Sequence, residues 1–105
     1  MTADYTSQAL VAFRQTSDAN RREAVDRVLE AAGGRVIEMC GTAPNGPGAL
    51  VVFDVPDPTM APVIAGVAVS AGAIQNVKLT RLFTIDGIQN IRKNAAKVRG
   101  AYKPS

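Results

Sequence analysis

Leu50, Val51, Val52 and Phe53 follow one another without a polar break, and this run constrains the chain more than any other stretch. Four such residues in a row suit a strand covered on both faces, not a half-solvated edge strand. Gly46-Pro47-Gly48 stops the run on one side, and Val55-Pro56-Asp57-Pro58 stops it on the other. Proline cannot donate to a ladder, and glycine relaxes the chain. In a chain of 105 residues, one domain in size, a strand this apolar belongs at the centre of a sheet. The reading takes residues 1–100 as that single domain and 101–105 as a short tail.

The chain contains no histidine. It therefore lacks the commonest metal ligand, the usual general base near neutral pH, and every Ser-His or Cys-His nucleophile pair. A single cysteine, Cys40, rules out an internal disulfide and fits a reducing, cytoplasmic setting. It reads as a small buried strand residue, with no neighbouring group to activate its thiol. No apolar run approaches a membrane span. Residues Met1–Leu10 lack the basic start of a secretory leader. Charge is uneven. Residues from Lys78 onward carry a net +6, while the first 77 carry −3. Such asymmetry suits an anionic partner, but it also suits a solvated helix whose basic end complements its dipole. Only Phe83 and Tyr102 fall among these charges, too few for a single-strand stacking surface, so nucleic-acid binding through Lys93, Lys97, Arg99 and Lys103 is a third and weaker option.

Taken in order, Tyr5–Arg14 alternates as a first strand, with Ala9, Val11 and Phe13 on one face and Leu10 and Ala12 on the other. Ser17 or Asp18 opens a first helix to Ala32, with Ala24, Val25, Val28 and Leu29 as its apolar stripe and Gly33-Gly34 as its stop. Arg35–Gly41 is a second strand, and Asn45-Gly46 marks the turn into the apolar strand. Asp57 or Thr59 caps a second helix to Ala71, which carries no charge on any side. Ala73–Phe83 alternates as a more polar, edge-like fourth strand. Thr84 caps a C-terminal helix whose stripe is Ile85, Ile88, Ile91, Ala95 and Val98.

The order βαββαβ followed by a helix predicts an α+β chain: a ferredoxin-like four-stranded antiparallel sheet plus a C-terminal helix. The expected strand order, 4-1-3-2, makes the first and third strands central. Helices cover one sheet face. The other, assigned Leu10, Ala12, Ile37, Met39, Val51 and Phe53, is apolar enough to require a second copy. A dimeric α+β barrel is therefore expected, in a homodimer or a higher even-numbered oligomer.

Gln75-Asn76-Val77-Lys78 through Arg81-Leu82-Phe83-Thr84 resembles the last strand of the GYD-domain family, small bacterial proteins with a Gly-Asn-Val-Arg strand ending Thr-Leu-Arg-Ala-Phe-Thr. Val55-Pro56-Asp57 and Gly33-Gly34-Arg35-Val36 are similar to the family's turns after its third strand and first helix. The name-giving Gly-Tyr-Asp falls where this chain reads Gly46-Pro47-Gly48-Ala49. The family's Gly-Ile-x-Asn-Ile is absent after the first strand, but a similar Gly87-Ile88-Gln89-Asn90-Ile91 follows the fourth. The resemblance implies the ferredoxin-like fold and oligomerisation, and supplies no chemistry.

No catalytic residue, cofactor site or metal site is assigned. The Gly46-Pro47-Gly48 loop lacks the lysine and hydroxyl of a phosphate loop. Glu38, a carboxylate in an otherwise apolar strand, is a candidate base if it points into the barrel and an ordinary cross-strand partner of Arg35 or Arg81 if it faces out. Tyr5, Arg14, Glu38 and Arg81 are candidate cavity residues. Lys93 and Lys97 are candidate partner contacts. Two functions follow. The first is a non-catalytic binding, regulatory or scaffold module, making protein contacts through the apolar second helix or the basic C-terminal helix. The second is a cofactor-less α+β barrel enzyme, an isomerase or monooxygenase acting on a small hydrophobic substrate.

Overall fold

The computed structural model describes residues 1–13, 18–43 and 46–102, with only the backbone of 18–20. Eight elements follow in order: β1 (Thr2–Tyr5), α1 (Ser7–Phe13), α2 (Asp18–Ala31), β2 (Arg35–Thr42), β3 (Gly48–Asp54), α3 (Met60–Ser70), β4 (Ile74–Lys78) and α4 (Ile85–Arg99). The four strands form one antiparallel sheet in the order β2-β3-β1-β4, so β3 and β1 are central as expected. The architecture is α+β and ferredoxin-like.

The first strand is shorter and earlier than the expected Tyr5–Arg14. It ends at Tyr5, and a helix begins two residues on. Thr6 makes the switch. Its hydroxyl oxygen accepts from Ala9 N at 3.1 Å, and its carbonyl accepts from Leu10 N at 3.0 Å, closing the first helical turn. The hydroxyl also donates to Gly72 O at 2.6 Å, tying α1 to the loop before β4. Ala9 and Phe13 satisfy a helical i,i+4 pair as well as a strand alternation, and the capping threonine decides between them. Leu10 and Ala12 therefore belong to a helix, not to a sheet face.

Cross-strand pairing sorts the sheet residues. Ala3, Ala49, Val51, Phe53, Met39 and Ile74 lie on the helix side. Val51, Phe53 and Met39 are thus on the covered face, opposite to expectation. The open face carries Leu50 and Val52, both half-buried, among Thr2, Asp4, Arg35, Glu38 and Asp54. A bulge between Val36 and Glu38 shifts the β2 register, and Ile37 there is 55% exposed. A second register shift lies on β4, where Gln75 and Lys78 oppose Asp4 and Thr2. Asn76 sits inside it with φ 54°, a conformation asparagine tolerates better than most residues. Its side-chain amide donates to Asp4 Oδ2 at 3.1 Å. Gly48 starts β3 where a Cβ would strike Ala3 O and Thr42 Oγ1, so only glycine lets the three strands close up.

The fourth strand stops at Lys78, not Phe83; its last ladder position lies opposite Thr2, where β1 begins. Residues 79–84 run on without a ladder into α4. Thr84 caps α4 as expected, its hydroxyl oxygen accepting from Gly87 N at 3.0 Å. Yet no residue of α4 is buried. The radius of gyration is 17.5 Å and the extents are 58 × 30 × 23 Å. A compact chain of this length would measure about 13 Å, so residues 79–99 form an arm standing off the body.

Leu29 of α2 is the one large side chain among the described residues that is essentially sealed, at 1% exposure. Leu29→Ala should cost about 2–5 kcal/mol in urea unfolding, a large share of the stability of a domain this size. At the start of α3, the Asp57 carboxylate accepts from Thr59 Oγ1 at 2.8 Å and Thr59 N at 3.0 Å. The hydroxyl bond first, then the backbone bond, holds its pKa below the ordinary 3.8. That stabilisation is complete above 3.8 and fades as pH falls through the lowered value. Melting wild type and Asp57→Ala from neutral pH downward should give a gap that is constant until acid pH and then closes.

Candidate functional site

Two features of the described residues are built for contact: a cavity under the helices, and the arm. The cavity follows from how α2 and α3 sit. α2 packs on β2 and α3 on β4, which leaves a gap above the central strands. Its floor is Ala3, Ala49, Val51 and Ile74, mostly small side chains. Val25, Val28 and Leu29 wall one side at helical spacing, and Ile64, Val67 and Ala71 wall the other. Its volume is about 280 Å³, and it is open to solvent beside Val67 and Val28. Among its described lining residues only Tyr5 and Arg21 carry a polar side-chain group.

Both of those residues lie at one end, where the cavity meets a second hollow of about 340 Å³. Tyr5, Arg21 and Met39 line both spaces, and Arg22, Cys40 and Gly41 line the outer one. Tyr5 reaches this end as the last residue of β1, and Arg21 as the residue one turn before Val25 on α2. The Arg21 guanidinium lies 4.4 Å from the centroid of Phe13 and 5.7 Å from that of Tyr5. The two rings meet edge to face at 4.8 Å. Such cation–π stacking holds an arginine in place while giving it an apolar underside. Arg22 Nε bonds Asp26 Oδ1 at 3.1 Å. Among the described residues no cluster of acids and cysteine has the spacing of a metal site.

The arm carries a different surface. Leu82 is 68% exposed, Ile85 77% and Val98 70%, and Phe83 and Ile91 are also open. Arg92, Lys93, Lys97 and Arg99 share the helix with this stripe. The outer face of α3 adds Val63 and Val69, about half exposed and free of charge.

The six residues singled out from sequence are not gathered into one place. Tyr5 lines the cavity mouth. Arg14 lies outside the described residues, as does Asn45 of the expected turn. Glu38 faces away from the cavity, opposite Val52 on the open sheet face. It is exposed and has no ion-pair partner among the described residues, so the cross-strand pair with Arg35 or Arg81 is not formed, and the face it occupies is the one that a dimeric barrel would enclose. Arg81 stacks over Phe83 at 5.0 Å at the base of the arm, because the strand that would have carried it ends earlier. Lys93 and Lys97 stand exposed on α4. Cys40 is exposed rather than buried, since β2 is an edge strand and the open face is uncovered. Sequence reasoning passed over Arg21, although its place one turn ahead of Val25, Val28 and Leu29 marked it as the polar end of that stripe.

No helix is long and apolar enough to cross a membrane among the described residues. Comparison with known proteins finds one family: the model of the GYD domain matches residues 1–99. Neither the curated proteins nor the solved structures contain a match.

Proposed function

The chain belongs to the GYD-domain family, and from that premise we propose that it is a small, non-catalytic oligomeric module acting through protein–protein contacts. The observation that carries this reading is the arm. A capped fifteen-residue helix presents an isoleucine–valine stripe with nothing laid over it. Burying one such side chain contributes about 1.5–3 kcal/mol, so the stripe has strong reason to dock. A second copy is the partner this reading commits to, in a homodimer or higher even-numbered assembly. The half-buried Leu50 and Val52 of the open sheet face would then be covered as in a dimeric α+β barrel. The uncharged outer face of α3 and the lysines of α4 are left for a further protein partner. Phe83, under Arg81, is the one aromatic among the arm's charges, fewer than a stacking surface for single-stranded nucleic acid uses, so this reading does not take nucleic acid as that partner. A cytoplasmic, bacterial setting fits the lone exposed thiol and the family.

A second reading draws on the cavity: a cofactor-less enzyme holding a small hydrophobic substrate between sheet and helices. Its weakness is chemical. Glu38, the carboxylate that would have served as base, stands on the opposite face of the sheet.

Native mass spectrometry or sedimentation at about 10 μM should show an even-numbered oligomer. Ile88→Asp, which places a charge in the arm's stripe, should weaken assembly by at least about tenfold, the loss of one buried isoleucine per copy. A wild-type monomer under these conditions would overturn the proposal, as would an Ile88→Asp variant that assembles unchanged.

A further inference from the structure

The chain exposes more surface than its mass calls for. A compact chain of 11.0 kDa exposes about 5,600 Å², whereas this one exposes 7777 Å². The surplus is about 2,100 Å² per copy, and doubled for two copies it falls in the range of obligate homodimer interfaces. Two uncovered apolar faces on different helices contribute to it. One is the isoleucine–valine stripe of α4. The other is the outside of α3. There Gly66 and Ser70 lie in line, with Val63 on one side and Pro62 and Val69 on the other, all of them exposed. Nothing among the described residues requires glycine at 66. It sits in mid-helix, where glycine is among the least favourable residues. Its φ is not positive, and a Cβ there would meet nothing within 4 Å. Such a position suits the close approach of a backbone from outside the copy.

Charge sets the direction of approach. Thr59 to Val77 contains no charged residue, and the carboxylate nearest to α3 in sequence is the exposed Asp57 just before it. On α4, helical spacing places Arg92 and Arg99 at the edge of the stripe, and Asp86, Lys93 and Lys97 on the opposite side. Ile91 is the middle of the stripe and Gly66 the middle of the α3 face. Arg99 lies about 12 Å beyond Ile91 along the helix, and Asp57 lies about as far before Gly66. An antiparallel arrangement brings the two charges together. A parallel one sets Arg99 against the uncharged stretch after α3.

We propose that α4 of one copy docks antiparallel on the outer face of α3 in a second copy, with Ile91 over Gly66 and Arg99 beside Asp57, and that the exchange is mutual. The protein partner of α3 is then another copy of this chain. This rests on the reading that the arm docks on a second copy, and it names the place. Within one copy no residue of α4 is buried, and residues 79–84 carry the helix off the body.

The test sets Gly66→Gln beside Ile88→Asp. Glutamine is a good helix former, and its side chain enters open space. Combined with Ile88→Asp, which separates the copies, Gly66→Gln should leave the melting temperature unchanged or higher. Alone, it should weaken assembly at least about tenfold in sedimentation. For direction, Val63→Cys is combined with Ala95→Cys or with Ile88→Cys in a Cys40→Ser chain and oxidised. The first pair should give a disulfide between copies and the second should not. Gly66→Gln assembling like wild type, while Ile88→Asp does not assemble, would overturn this docking site and leave the arm's role in assembly standing. Linkage through the second pair, or within a single chain, would also overturn it. A monomeric wild type would overturn both.

Discussion

The backbone ladder of β3 is what the other elements hang from. β3 is bonded on one side to β2 through seven register positions and on the other to β1 through three. The start of that ladder depends on a missing side chain: at Gly48 any Cβ would collide with the backbone of β1 and the hydroxyl of Thr42. Once β3 is fixed, its alternation presents Ala49, Val51 and Phe53 to the helices and Leu50 and Val52 to the other side. α2 then settles over β2 and α3 over β4. Two helices seated on the outer strands cover the inner ones, where Ala3, Ala49 and Val51 are buried, but leave a gap between themselves, and the cavity follows from that spacing.

That geometry divides the chain's unfinished surface into two kinds. The cavity is concave and lined mostly by small and branched side chains, with Met1, Tyr5 and Arg21 also contributing. The arm is convex, with apolar and basic residues on one helix. A concave apolar space favours a small occupant, whereas an exposed helical stripe favours another protein surface. The two surfaces lie on separate elements.

Most of the architecture was legible because it rests on local signals that tertiary context did not override. The run at Leu50–Phe53 marked a central strand, Gly33-Gly34 closed α2 with Gly33 at φ 78°, and Thr84 opened α4. Strand order followed from element order and short connections. The first strand was misread because a short apolar stretch fits period 2 and period 3.6 alike, and the deciding signal was the single hydroxyl of Thr6. The fourth strand was read too long because its alternation persists past Lys78, while the start of β1, opposite its last ladder position, is a property of another segment. The covered face was inverted for the same reason, since face assignment inherits the phase of the first strand. Of the site, Tyr5 was legible as a candidate. Arg21 was not, because its role arises only where α2 crosses the end of β1 and meets Phe13.

The two register shifts have a bearing on how the sheet ends. Both extra residues fall in the outermost strands, at Ile37 in β2 and around Asn76 in β4, while the inner pair β1–β3 runs without one. A foreign strand approaching either rim meets a twisted, locally out-of-step row of donors and acceptors, and it cannot extend the pattern by simple continuation. The sheet is thereby capped at four strands, and rim-to-rim polymerisation into fibres is checked by the same irregularities that give each rim its shape. The two irregular rims thus work against growth along the hydrogen-bonding direction, even where the faces of the fold leave hydrocarbon uncovered.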